Sequence, residues 1–220
     1  LALHTSNIRV SGETPEFFAD YKVRDIAHAF AAEACRVKHP TILDFGGGVG
    51  TSVPYFERYF PGARLVCLDV SRKSLAFARR RSSASVSLVQ FDGKRVPFAD
   101  YSFDIGFAAC VFHHIEPADR PRLLAELNRV LKPGGRLFVF EHNPLNPLTV
   151  HAVNACPFDE NAKLISGKRM KQQIAEARFD EVALRFRIFF PRALAKLRPV
   201  ERFMTAIPLG AQYYVVGRKA

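Results

Sequence analysis

The 220-residue sequence predicts an α/β fold built as a doubly wound, mostly parallel sheet, and three observations carry that expectation. The apolar run Thr41-Ile42-Leu43-Asp44-Phe45 breaks into Gly46-Gly47-Gly48-Val49-Gly50 and leads into a helix-like segment. A second apolar run, residues 64–69, ends in another acid, Asp69, 19 residues beyond Gly50. Strand-like and amphipathic segments then alternate through the middle of the chain, as β–α–β units do. A glycine turn after a first parallel strand lets backbone N–H groups approach a ligand with no Cβ in the way. That sheet edge is where a doubly wound fold holds a nucleotide-like cofactor.

Each element has a local cause. Residues 1–14 are polar and expected to be mobile. Residues 15–37 read as one or two helices, because Phe17, Phe18, Tyr21, Ile26, Ala29 and Phe30 recur at near-helical spacing. Strand 1 covers 41–45, and a helix over 51–60 tolerates Pro54 near its start. Pro61-Gly62 turns the chain into strand 2. Asp69 or Ser71 caps a helix over 72–81, whose end carries Arg79-Arg80-Arg81 where the helix dipole favours cations. Strand 3 falls at 86–91 and strand 4 at 105–109. A helix over 119–130 places Leu123, Leu124, Leu127 and Val130 on one face, and Pro133-Gly134-Gly135 turns into strand 5. Residues 145–166 read as irregular, with a turn at Cys156-Pro157-Phe158-Asp159. A helix over 166–177, capped by Ser166, precedes the last two strands at 183–190 and 212–218. The segment 191–210 between them is longer than a hairpin needs. It sets Arg192, Lys196, Arg198 and Arg202 beside Leu194, Leu197, Phe203, Met204 and Ile207, as a basic amphipathic flap would.

Composition narrows the classes. At 48% hydrophobic the chain can bury a core as one domain, and it lacks the ~18-residue apolar run of a membrane-spanning helix. The N-terminal stretch does not read as a signal peptide. Cys35, Cys67, Cys110 and Cys156 form no CxxC pair, so neither a disulfide framework nor a metal site is expected, and the compartment reads as reducing cytoplasm. The net charge of +11 is concentrated at the C-terminal end, where residues 161–220 hold 13 Lys+Arg against 4 Asp+Glu. That suits an anionic substrate, a membrane surface or nucleic acid, or else a well-charged soluble surface.

Two cofactors compete for the glycine loop. A dinucleotide fingerprint needs G-x-G-x-x-G, but Thr51 stands where its third glycine would fall. An acid ahead of the loop suits a cofactor with a cationic end and no phosphate, and S-adenosylmethionine (SAM) has that chemistry. Residues 42–50 match the pattern hh-D/E-x-G-x-G-x-G throughout. Pro97-Phe98-Ala99-Asp100-Tyr101-Ser102-Phe103-Asp104 and the L-x-P-G-G turn at 131–135 add two further matches. On these residues the sequence resembles the class I SAM-dependent methyltransferases of the small-molecule type, most densely over 41–140.

The resemblance implies a Rossmann-like, seven-stranded sheet with an antiparallel last strand and helices on both faces, all in one domain spanning 1–220. It implies cap helices within 1–40, and places 141–166 and the 191–210 flap on the substrate side. Cofactor contacts are expected from Asp44, Phe45, Gly46, Gly47, Gly48, Gly50, Asp69 (ribose), Val70, Asp92 and Gly93 (adenine), Ala109 and Cys110. His114, His113 and His142, in that order, are candidate bases, with Glu141 as orienter or alternative base, and Tyr21, Lys22 and Arg24 are candidates to face the site. Asn143 joins Glu141 and His142 as a candidate substrate contact. The implied reaction moves a methyl group from SAM to a small-molecule or lipid- or glycan-linked acceptor, on oxygen, and leaves S-adenosylhomocysteine. An RNA methyltransferase, a SAM-binding protein without turnover and, more distantly, a nicotinamide-dependent oxidoreductase are the alternatives. Peripheral membrane contact through 191–210 is a further expectation.

Overall fold

The computed structural model describes residues 12–31 and 37–220; the expectations for residues 1–11, for a helix running through 32–36 and for Cys35 lie outside the described residues. In chain order the elements are α1 (Pro15–Ala31), β1 (Thr41–Phe45), α2 (Val53–Tyr59), β2 (Arg64–Asp69), α3 (Arg72–Ala78), β3 (Ser87–Gln90), β4 (Phe103–Ala109), α4 (Arg120–Val130), β5 (Leu131–His142), α5 (Pro147–Asn154), α6 (Gly167–Glu176), β6 (Phe179–Arg187) and β7 (Gln212–Lys219). Short 3₁₀ turns stand at Phe112–His114 and Pro157–Asp159, and a longer one at Arg192–Phe203.

The strands form one seven-stranded sheet in the order β3-β2-β1-β4-β5-β7-β6. β1 to β5 pair in parallel, and β7 runs antiparallel between β5 and β6, as expected. The order reverses between β1 and β4, so the chain after each of these strands borders the crevice at the switch point. β4 is buried along almost its whole length, as a central parallel strand covered on both faces must be. Alternation along the strands feeds two cores. Leu43 and Phe45 pack with Leu123, Leu124 and Leu127 of α4 and Ile174 of α6. Ile42, Phe107 and Phe140 pack with Tyr21 and Ile26 of α1 and Phe56 of α2 on the other face. Among the described residues no helix is long and apolar enough to cross a membrane.

Three elements differ from the sequence reading. β5 continues through Glu141 and His142, because β7 pairs with it there (Glu141↔Tyr213, His142↔Gln212), so both site candidates stand on a strand and not in a loop. Residues 145–166 are not irregular throughout. Asn146 caps α5 by accepting from the Thr149 N–H (3.0 Å), and Pro147 follows in the first turn, a start signal that was present in the sequence. β6 starts at Phe179 and carries an irregularity between Asp180 and Ala183, where Glu181 takes a left-handed φ of 49°. The Ser166 and Ser71 caps are present as expected.

Asn143 is fully buried, and its side chain is committed to the scaffold. Its amide N–H groups donate to the carbonyls of Pro208 (3.0 Å) and Gly210 (2.8 Å), and its Oδ1 accepts from the Leu145 N–H (3.1 Å). This corrects the expected substrate contact: the amide locks the turn after β5 to the chain entering β7. Asn143→Ala leaves the buried Gly210 carbonyl and the part-buried Pro208 carbonyl without these donors, and is expected to lower the unfolding free energy by about 1–3 kcal/mol in urea denaturation.

Candidate active site

The glycine loop is shaped by backbone angles that side chains disfavour. Gly46, Gly48 and Gly50 have φ of 72°, 53° and 73°. A Cβ on Gly46 would lie 2.5 Å from the Val111 side chain, and one on Gly50 would lie 3.0 Å from that of Ala78. Gly47 is confined by Asp44 and Cys67, whereas a Cβ on Gly48 would meet nothing closer than 3.9 Å. Gly46 and Gly50 therefore serve close packing, and Gly48 presents bare backbone to open space. Phe45 sends its ring into the core, between those of Phe91 and Phe112, leaving only its backbone at the loop.

Two acids flank the loop. Asp44 is buried on the α1/α2 face with the Cys67 thiol 3.8 Å away. Burial pushes its carboxyl up to about 7; the thiol offsets part of that, and the charge of Asp69 adds to it. Asp69 stands at the tip of β2, accepting from the N–H of Gly48 (2.8 Å) and of Ser71 (2.7 Å), while Ser71 itself caps α3. Beyond β3, Gly93 (φ 76°) lies against the exposed side chain of Val70. Asp92 accepts from the Lys94 and Arg95 N–H groups, which hold its carboxyl below the usual range.

The other side of the crevice is built where β4 and β5 end. Cys110 takes a left-handed φ of 58° just after Ala109 and throws the chain into the 3₁₀ turn, bringing Val111 onto Gly46. Glu141, 1% exposed, accepts from the N–H of Val111 (3.1 Å) and Phe112 (2.7 Å) and from His113 Nδ1 (2.5 Å). Burial opposes its charge, but His113 and the Phe112 N–H hold its pKa below the usual value. Both oxygens of Glu141 are thus taken up by these three donors, and the carboxylate braces the His113 ring.

His113 is equally buried. Burial disfavours its cation, yet Glu141 and Asp159 raise its pKa to about 10, which favours the protonated ring at neutral pH. The geometry thus argues against His113 as a base. His114 is half-exposed and its pKa is lowered by burial and by His113. Nε2 of His113 and Nε2 of His114 each lie 3.4 Å from Asp159 Oδ1, longer than an ordinary N–H···O bond. His142 lies beside Cys110, and its Nδ1 is 3.5 Å from Gln212 Nε2, whose amide oxygen accepts from the Tyr21 hydroxyl.

Of the α1 candidates, Lys22 does face the site: its Nζ is 3.5 Å from Cys110 Sγ. Burial opposes ionisation of that thiol, but Lys22 and His142 bring it down to about 6. Arg24 pairs with Asp20 (3.0 Å) and lines the cavity between α1 and the 191–210 segment. Asp159 and Gln212 were missed by sequence reasoning. In the sequence Asp159 reads only as part of a turn, and Gln212 opens a strand.

Residues 43–139 match the family model described as "Methyltransferase domain". The chain is 37% identical over 131 residues to a demethylmenaquinone methyltransferase of Thermus thermophilus, covering 58% of this chain and 57% of that protein. It is 31% identical over 125 residues to the ubiquinone/menaquinone biosynthesis C-methyltransferase UbiE of Hahella chejuensis, covering 54% and 49%. The matches thus span about half the length of these relatives. Among solved structures, a SAM-dependent methyltransferase from Archaeoglobus fulgidus superposes with a TM-score of 0.73 over 96% of this chain and 97% of that one, at 14% identity. The chain carries a class I SAM-dependent methyltransferase domain, as its glycine loop and the linker into β4 implied. The cofactor of that class is SAM.

The residues fit this cofactor. Bare backbone at Gly48 faces open space, two acids flank it, and an exposed Val70 beside Gly93 offers an apolar edge. The N–H groups of Gly46 and Gly47 are given to the Leu68 carbonyl, that of Gly50 to the Gly47 carbonyl and that of Gly48 to Asp69, so these four are not offered to a pyrophosphate. Asp44 also dictates a pH dependence. A carboxyl raised in the folded state keeps a proton that the unfolded chain releases near 3.8, so its stabilising contribution falls as pH rises towards about 7. Wild-type protein is expected to lose on the order of a few kcal/mol from this group between about pH 5 and pH 8, relative to Asp44→Asn. Parallel denaturation of the two proteins across that range checks it.

Proposed function

We propose that the protein transfers the methyl group of SAM to a small-molecule acceptor that must lose a proton to become nucleophilic. The observation that carries this reading is the set of Cys110, His142, Lys22 and the braced His113–Glu141 pair, which meets the glycine loop through the Val111–Gly46 contact. Bound SAM supplies an electrophilic methyl on a sulfonium, so the protein's own work is positioning and exclusion of water. Asp44 and Asp69 answer the cationic and ribose ends, and Val70, Asp92 and Gly93 hold the adenine. His142 takes the acceptor proton: it lies beside Cys110, which raises its pKa against the effect of burial.

Oxygen is the acceptor atom expected from the sequence, while the relatives are named for demethylmenaquinone or as C-methyltransferases. A phenolate or enolate offers both atoms as nucleophiles, and one base generates it in either case, so an acidic hydroxyl next to the methylated position reconciles the two. A cavity of about 290 Å³ lies between α1, the end of β6 and the flap, lined by Tyr21, Glu201, Arg24, Arg187, Arg198 and Arg202; Arg24, Arg187 and Arg198 pair with Asp20, Asp25 and Glu13, so it supports a polar portion of the acceptor. On the flap, Leu194, Leu197, Val200 and Phe203 are exposed beside Arg202 and Lys196, which supports contact with a lipid surface or an apolar tail. In this reading α1 and the flap form the acceptor side of a single methyltransferase domain.

Incubating cell extract with the protein and methyl-labelled SAM should label a small phenol- or enol-bearing metabolite in mass spectrometry. SAM binding in calorimetry with no labelled product would instead mark a protein that holds the donor without turnover. His142→Ala is expected to lower kcat by about 10²–10⁴ with the SAM Kd unchanged, in steady-state kinetics paired with calorimetry. The double variant Leu197→Ser/Phe203→Ser is expected to weaken flotation with anionic vesicles by roughly tenfold or more, leaving SAM affinity intact.

A further inference from the structure

Among the described residues, the side chains of His113, His114 and Asp159 bring three ligand atoms within 4.8 Å of one another. We propose that these three side chains form a binding site for a divalent transition-metal ion of the zinc type.

The spacing is the first argument. Both imidazole Nε2 atoms stand 3.4 Å from Asp159 Oδ1. That is long for a hydrogen bond, but it is the edge of a tetrahedron whose centre lies about 2.0–2.2 Å from each corner, the bond length of zinc to imidazole nitrogen and carboxylate oxygen. The second argument is an orphaned atom. His113 is 1% exposed, and its Nε2 is buried without a hydrogen-bond partner, on the side facing Asp159. A buried polar atom left unanswered is costly, and an ion bound there would answer it.

The third argument is the support behind the ligand. Glu141 takes His113 Nδ1 at 2.5 Å, which fixes the tautomer that points a lone pair from Nε2 towards Asp159. Glu141 is itself held by two backbone N–H groups, so the carboxylate–histidine–metal relay has a rigid root. The two turns carrying the ligands are fastened together as well. The Lys163 N–H donates to the His113 carbonyl (2.7 Å), and Arg120 spans the carbonyls of Ile115 and Lys163 (both 2.9 Å). Charge balances too: two carboxylates, Asp159 and Glu141, match a divalent ion with neutral imidazoles. The competing arrangement is a proton shared between His113 and the two acids, and an ion takes the place of that proton.

Three protein ligands leave a coordination position open, and half-exposed His114 gives an entry path from solvent. The site stands at the sheet edge assigned above to the acceptor. An ion with an open position would there bind and acidify an acceptor hydroxyl, a consequence that rests on the methyl-transfer reading, whereas ion binding itself does not.

The test reads the ion directly. Full-length protein is stripped with a chelator and dialysed. It is then titrated with Zn²⁺ and with Co²⁺, bound metal being counted by mass spectrometry and the cobalt spectrum recorded. The expected result is about one equivalent bound at micromolar ion or below, with the intense visible bands of four-coordinate cobalt. His114→Ala and Asp159→Asn, both at positions solvent reaches, should weaken binding at least a hundredfold with unchanged circular dichroism. His151→Ala, on exposed α5, should leave it unchanged, and Glu141→Gln should weaken it by about 10–100-fold. Uptake only at millimolar ion, or full affinity retained in His114→Ala, would overturn the proposal, whatever the protein does with labelled SAM.

Discussion

A carboxylate buried where two strands end has to be answered on every side, and Glu141 is. Its oxygens take the N–H groups of Val111 and Phe112 and the Nδ1 of His113, so one side chain of β5 dictates the path of the chain leaving β4. That path puts Val111 against Gly46, which has no Cβ to block it. The shape of the glycine loop and the placement of the imidazole cluster are therefore mechanically joined. Removing the carboxylate would leave two buried amides and a ring nitrogen without acceptors at once, which costs more than any one of those bonds.

The same logic extends outward through β7. An antiparallel last strand brings Gln212 beside His142, and Gln212 is held in turn by the Tyr21 hydroxyl of α1. α1 thus does more than cover the sheet: it delivers a tyrosine to this chain of polar contacts and Lys22 to Cys110. A lysine that is 6% exposed needs a counter-charge close by. Cys110 Sγ lies 3.5 Å from its Nζ, and Lys22 and His142 bring that thiol down to about 6 against burial. Residues from α1, β4, β5 and β7 form one polar assembly at the edge of an otherwise apolar sheet.

The parts farthest from this assembly are arranged differently. The flap buries Glu201, which accepts from the N–H groups of Phe189 and Phe190, yet leaves most of its apolar side chains in water. Its anchor is polar and its outer face is apolar, the reverse of an ordinary surface helix. A segment so built is held in place without consuming its hydrophobic surface, which stays available for an acceptor or a lipid.

Local chemistry made much of this legible beforehand. The glycine spacing, the acids at the tips of β1 and β2, the turn at Gly134-Gly135 and the apolar stripe of α4 each depend on neighbours within a turn or a strand, so spacing alone reveals them. The start of α5 was equally local and was overlooked, since Asn146-Pro147 is a cap followed by a first-turn proline. What no spacing could show is which distant side chains meet. His113 and Glu141 are 28 residues apart, and Lys22 and Cys110 are 88 apart. Asp159 stands beside the paired histidines on a turn that Arg120 and Lys163 tie to theirs. The sequence by itself determined where most strands and helices fall and where the donor loop lies, because periodicity and turn residues act locally. The tertiary structure alone decided which histidine is braced, which carboxylate faces it and which lysine charges the cysteine, because those pairings are set by strand order and not by distance along the chain.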